Sequence, residues 1–237
     1  MAVSVVQTKV TASTTPFVTD GIEALTFDAT TTVGNYILVG IAVTQSNRTI
    51  SSVVDNGSGG SNTYALVSDG SVNANHEIAA TAEFWIYGAP VERAATVVTV
   101  TISSAIGSPS QMWIAEISGQ HASSPIEDVA IALTSPDGTT HTTGNVTTAS
   151  AGSLLVVMGY GTGGTYTHDA DFTSIETSAQ GLSGYDQVDA GTFNCVYTSA
   201  ANEAQVNALV AIAPAAGGGG GATLIFSTTR RMLMGLS

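Results

Sequence analysis

Tyr36-Ile37-Leu38-Val39-Gly40-Ile41-Ala42-Val43 is apolar at every position. Successive side chains of a strand point to opposite faces. An unbroken apolar run of strand length, rich in β-branched residues, therefore predicts a central strand buried on both sides. Thr96-Val97-Val98-Thr99-Val100-Thr101-Ile102 reads differently. Val98, Val100 and Ile102 face one way, Thr99 and Thr101 the other, as in a strand covered on one face only. A fold with both kinds of strand needs stacked sheets.

Working outward, strands are expected at 3–10, 24–28, 51–54, 64–68, 81–87, 112–118, 129–133 and 206–212. Gly, Asn, Asp and Ser fill the gaps, as in Asp55-Asn56-Gly57-Ser58-Gly59-Gly60-Ser61-Asn62. No stretch keeps a helical apolar period. The second half echoes the first. Asp28–Val39 and Thr147–Val157 are both polar Thr/Ser runs, then Gly with a polar residue, then a strongly apolar strand. Phe84–Tyr87 is matched to Phe193–Tyr197, and Met112–Gly119 to Ala208–Ala213. Such an echo fits one sandwich with related strands from each half, and also two small sandwiches. The expectation is an all-β, two-sheet antiparallel β-sandwich, jelly-roll-like, over residues 1–215.

Five glycines, Gly217 to Gly221, end that body. Gly loses the most backbone entropy on being fixed, so the run reads as a flexible joint. Residues 216–221 are thus a linker and 222–237 a C-terminal docking arm. Thr223–Thr229 has β-propensity and can add a strand to a neighbouring sheet. Leu224, Ile225 and Phe226 supply apolar surface, Met232 and Leu233 adaptable anchors, and Arg230 and Arg231 positive charge. The chain carries 18 acids and 5 bases, a net charge of −13. Without the arm, 18 acids face Lys9, Arg48 and Arg93, a net −15. A basic arm on an acidic body is self-complementary. So negative a body repels phosphate backbones, and nucleic acid is not an expected partner.

Charged residues make up 10% of the chain, against about 25% in typical domains. No run of 18 apolar residues predicts a membrane span. Met1–Thr8 lacks the charged and apolar regions of a signal peptide, which points to assembly inside a cell. Cys195 is the single cysteine and reads as a small buried apolar residue.

The candidates for chemistry are sparse. Glu127-Asp128 and Asp169-Ala170-Asp171 are tight acidic pairs, but neighbours on a loop rarely face each other across a cleft as glycosidase carboxylates do. His76, His121, His141 and His168 lack metal-ligand spacing. Asp55 with Asn62, and His168 with Asp169 and Asp171, suit Asx turns better than calcium. Gly159–Gly164 reads as a loop. Trp85 and Trp113 lie in apolar strands and read as core. Tyr160, Tyr166 and Tyr185, placed among glycines, are the candidate glycan contacts. No metal, cofactor or enzymatic activity is expected.

Gly34–Val39, Val53-Val54-Asp55 before a Gly-rich turn and Asn62-Thr63-Tyr64, Phe84–Tyr87, Thr96–Ile102 and Trp113–Gly119 together resemble a broad group of bacterial and phage β-sandwich domains. The resemblance covers about half the chain and implies a fold and a place in surface and virion proteins. The expected function is that of a structural subunit, a decoration, fibre or tail component of a phage virion assembled in the host cytoplasm. Its partners would be copies of itself or other virion proteins. The alternative is an extracellular adhesion module that recognises cell-surface glycans.

Overall fold

The computed structural model describes residues 2–11, 17, 20–43, 48–67, 75–78, 82–106, 110–161, 166–177 and 181–216. Among them there is no helix. The first half contributes β1 (Ser4–Val10), β2 (Ile22–Thr26), β3 (Tyr36–Val43), β4 (Ile50–Asp55), β5 (Ala65–Leu66), β6 (Asn75–Ile78), β7 (Ala82–Pro90), β8 (Val97–Ile102) and β9 (Ser110–Ser118). The second contributes β10 (Ile126–Thr142), β11 (Val146–Thr148), β12 (Ser153–Gly161), β13 (Tyr166–His168), β14 (Thr173–Thr177), β15 (Gly181–Val188), β16 (Gly191–Phe193) and β17 (Val196–Ile212). Every pairing between them is antiparallel.

The all-β antiparallel sandwich architecture expected from the sequence is present, but its described strands form four sheets where two were expected. They run β2-β8-β4, then β1-β9-β3-β7-β5 with β6 also on β7, then β10-β17-β12-β15-β14 with β13 also on β17, then β11-β16. Three cores separate the four layers. Ile37, Val39 and Ile41 of β3 pack with Val98, Val100 and Ile102 of β8 in the first. Tyr36, Leu38 and Ala42, from the opposite face of β3, pack with Leu154, Val156 and Met158 of β12 in the second. Leu155 and Val157, from the other face of β12, join Val146 and Cys195 in the third. The two middle sheets are thus buried on both faces, so β3 and β12 read as continuous apolar runs while β8 alternates.

The halves repeat one design. Strands β1, β9, β3, β7 and β5 occupy the same order as β10, β17, β12, β15 and β14. Tyr36 pairs Ile117 as Leu154 pairs Ile212. A register shift between Val5 and Gln7 recurs between Ile126 and Asp128. Gly34 and Gly152, with φ of 94° and 83°, hold the same turn, where Gly carries no Cβ penalty. Each donates its N–H over 2.9 Å, to the carbonyls of Val91 and Val188 respectively. The Gly34 echo in the sequence is therefore structural. The match of Phe84–Tyr87 to Phe193–Tyr197 is not: Phe84–Tyr87 lies in β7, whose counterpart is β15. Aromatic residues at both places suggested a kinship that strand order does not support.

The two repeats meet back to back. Trp113, Gly40 and Ile86 form a cross-strand row in one middle sheet, and Ala208, Met158 and Ser183 the equivalent row in the other. Gly40 faces Met158: a Cβ there would lie 2.5 Å from Met158 Sδ and 3.2 Å from the Trp113 ring. Large residues in one row are met by small ones in the other, which is how close-packed layers interdigitate.

Candidate functional site

The arm residues Leu224, Ile225, Phe226, Arg230, Arg231, Met232 and Leu233 lie outside the described residues. Their point of departure is described. Pro214 bridges to Gln120, the Ala215 N–H donates to the Gly119 carbonyl over 2.7 Å, and Ala216 is exposed. Gly119 has a φ of 75°, and a Cβ there would collide with the Ala2 carbonyl. Only Gly lets the backbones approach so closely. The first and last described segments therefore end side by side. The Gly34 turn lies at the same end, its carbonyl accepting from Gln120 Nε2 over 2.7 Å. So does Val33, the most exposed large apolar residue described, at 61%.

Tyr160 and Tyr166 do not offer a glycan surface. They lie in β12 and β13, each 1% exposed. Tyr185 is half-buried on β15 against the middle core. Of the glycines that suggested a loop, Gly159 serves packing instead, while Gly163 and Gly164 lie outside the described residues. Gly159 sits within β12, where a Cβ would lie 3.3 Å from the Tyr197 hydroxyl. Tyr197 meets Tyr166 edge-on at 6.5 Å and stacks on His141 at 5.2 Å. Asn207 Nδ2 donates to its hydroxyl over 2.9 Å.

Sequence reading missed the neighbouring pair: His141 Nε2 lies 2.8 Å from Ser199 Oγ, across β10 and β17. A His–Ser bond is the first half of a hydrolytic triad. Here His141 is 1% and Ser199 7% exposed, so a substrate carbonyl has no approach and the bond is an interior one. The available signal was the alternation of Tyr197 and Ser199 with Val196 and Thr198.

The acidic groups are engaged in the same internal way. Asp55 Oδ1 accepts the N–H groups of Gly57 and Asn62, and Oδ2 accepts Asn62 Nδ2 and the Tyr64 hydroxyl. Asn62 Oδ1 in turn accepts the N–H groups of Glu92 and Arg93. That network ties two loops together and leaves the carboxylate little capacity for a cation. Asp169 Oδ2 accepts the Val196 N–H over 3.2 Å, while Asp171 is exposed. Glu127 and Asp128 stand at the start of β10 rather than in a surface turn. Glu127 accepts from Ser153 Oγ and the Ala149 N–H, and Asp128 from the Thr147 N–H.

Glu116 does Glu127's work in the first repeat. It is 1% exposed and accepts from Gln7 Nε2, the Thr32 N–H and Asn35 Nδ2 at 2.6 to 2.7 Å. Asn35 and Ser153 are equivalent positions, so each repeat secures its turn to a carboxylate, though the carboxylates come from different strands.

Burial, with the charges of Asp169 and Asp186, pushes the Cys195 thiol up to about 12. It stays protonated and is no nucleophile. Burial raises the Asp186 carboxyl above its ordinary value, against a lowering hydrogen bond from the Gln187 N–H, and the charge of Asp171 adds to the rise. A carboxyl with a raised folded pKa stabilises the fold at low pH and loses that contribution as pH rises through the folded value. Asp186→Asn should therefore raise the melting temperature at pH 7 and change nothing below about pH 3, where both side chains are uncharged. Thermal melts across that range check it. Among the described residues, no group of three or more His, Cys, Asp or Glu is placed to hold a metal ion.

The outermost face of the β2-β8-β4 sheet offers a different kind of surface. Its outward rows are Ile22–Thr101–Ser52, Ala24–Thr99–Val54 and Thr26–Val97. None of these is charged, on a chain of net charge −13, and Ile22 and Val54 are 45% and 40% exposed. Glu23 points inward from the β2 edge, and its burial raises its pKa. An inward charge on an edge strand discourages uncontrolled sheet-to-sheet growth. Among the described residues no helix is long and apolar enough to cross a membrane. No protein-family model, curated protein or solved structure matches the chain.

Proposed function

We propose that the protein is a structural subunit of a multi-subunit particle, a phage virion component of the decoration, fibre or tail kind. Its C-terminal arm holds it to a neighbouring copy or another virion protein. The body serves as a rigid spacer made of two jelly-roll-type sandwiches back to back. The strand order supports that connectivity: β1-β9-β3-β7 faces β2-β8-β4, as two Greek keys require.

One observation carries the reading. The described body ends at exposed Ala216, and the sequence of residues 217–237 combines five glycines, an apolar β-prone segment and two arginines. Chemistry within the body gives the rival readings little support. Asp55, Glu116, Glu127 and Asp128 are engaged by protein donors, and the His141–Ser199 pair is buried. The glycan reading loses Tyr160 and Tyr166 to the interior.

Antibodies against the body, used in electron microscopy of the native source, test the proposal. Label repeating on a particle is the expected result. Label on a cell envelope, together with saturable binding on a glycan array, would replace the assembly reading with the adhesion one.

A further inference from the structure

A small crevice opens at the seam between the two repeats, between the edge strands β1 and β14. Leu38, Val156, Met158 and Ile175 give it apolar walls. Trp113 and Ser183 also line it, one from each repeat. They occupy matching places in the two facing rows: Gly40 pairs Trp113 on β9, and Met158, which faces Gly40, pairs Ser183 on β15.

Both residues are buried, at 3% and 2% exposure, and Trp113 Nε1 and Ser183 Oγ have no hydrogen-bond partner among the described residues. An unsatisfied buried indole N–H and hydroxyl are uncommon in a native interior. The crevice volume is ≈ 10 Å³, about that of one water-sized probe sphere. The other side of the seam contrasts with this one. There the equivalents of Trp113 and Ser183 are Ala208 and Ile86, both apolar and both in the middle core. The repeated fold does not itself require polar groups at this place.

We propose that the crevice binds one ordered water, which accepts the Trp113 indole N–H and bonds to the Ser183 hydroxyl, linking the two repeats through solvent. Indole offers only a donor, while a hydroxyl can give or accept. Water is the ligand that satisfies both groups within this volume.

The test is a crystal structure of the full chain at a resolution that shows solvent, with NMR cross-relaxation between water and the Trp113 indole proton. Trp85 is the other tryptophan, so Trp113→Phe assigns the signal. The expected result is one density peak at hydrogen-bond distance from both atoms and a cross-peak that Ser183→Val abolishes by filling the space. An empty crevice without a cross-peak overturns the proposal. So does a peak that contacts only one of the two atoms, or a cross-peak that persists unchanged in Ser183→Val. The wild-type measurements stand even if a variant fails to fold.

Discussion

Replacing Glu116 by Ala is expected to cost about 3 kcal/mol of folding stability, since each buried donor it leaves without an acceptor costs about 1–3 kcal/mol. Three donors converge on this carboxylate: Gln7 Nε2, the Thr32 N–H and Asn35 Nδ2. Gln7 cannot turn away to find another acceptor. Its Oε1 already takes the Ala29 N–H, and its Nε2 also serves the Ala29 carbonyl. The loss therefore leaves buried donors unpaired and loosens β1 and the turn before β3 together. Glu116→Gln keeps one acceptor but sets an amide N–H₂ against a donor, so about 1–3 kcal/mol is expected. Urea titrations give both values, provided the slope stays constant. A loss below about 1 kcal/mol for Ala would mean that the network contributes little beyond what water supplies.

The second large effect lies in the arm. Phe226→Asp should weaken assembly at least tenfold, since burying a Phe side chain is worth about 1.5–3 kcal/mol. Arg230→Ala with Arg231→Ala should act more mildly. Charges at an interface contribute on-rate and specificity more than affinity, so the double variant should differ most at low salt. Near 1 M salt, where the screening length is about 3 Å, it should match the wild type. Association constants measured across a salt series separate the two contributions. If the arginine pair proves the larger loss at every salt concentration, apolar burial is not what holds the arm.

The sequence was most legible where one face or both faces of a strand are buried. The unbroken apolar run at Tyr36–Val43 and the alternation at Thr96–Ile102 each report a local environment, and both environments are as read. The echo around Gly34 and Gly152 was visible because a positive-φ turn restricts residue type in both repeats. What stayed hidden depends on partners distant in sequence. Gly159 looks like loop punctuation, yet it lies within a strand beside the Tyr197 ring, 38 positions onward. Glu127 and Asp128 look like a surface turn until the register of β10 places them against Ser153 and Thr147. Tyr160 and Tyr166 looked available because glycines surround them, whereas the ring of Tyr166 is enclosed by a second sheet layer. In the repeats, Glu116 and Glu127 secure equivalent turns from non-equivalent strands, so no alignment of the two halves would have paired them.

The central claim is that the arm, not the body, makes the assembly. Light scattering of the full chain and of a chain lacking residues 222–237, at equal concentration, tests it most directly. The account predicts that the full chain has the mass of an oligomer, while the truncated chain has the mass of one subunit and keeps a cooperative melt. A truncated chain that retains the full-length mass would contradict it and would move the contact onto the body, with the uncharged face around Ile22 and Val54 as the surface to examine.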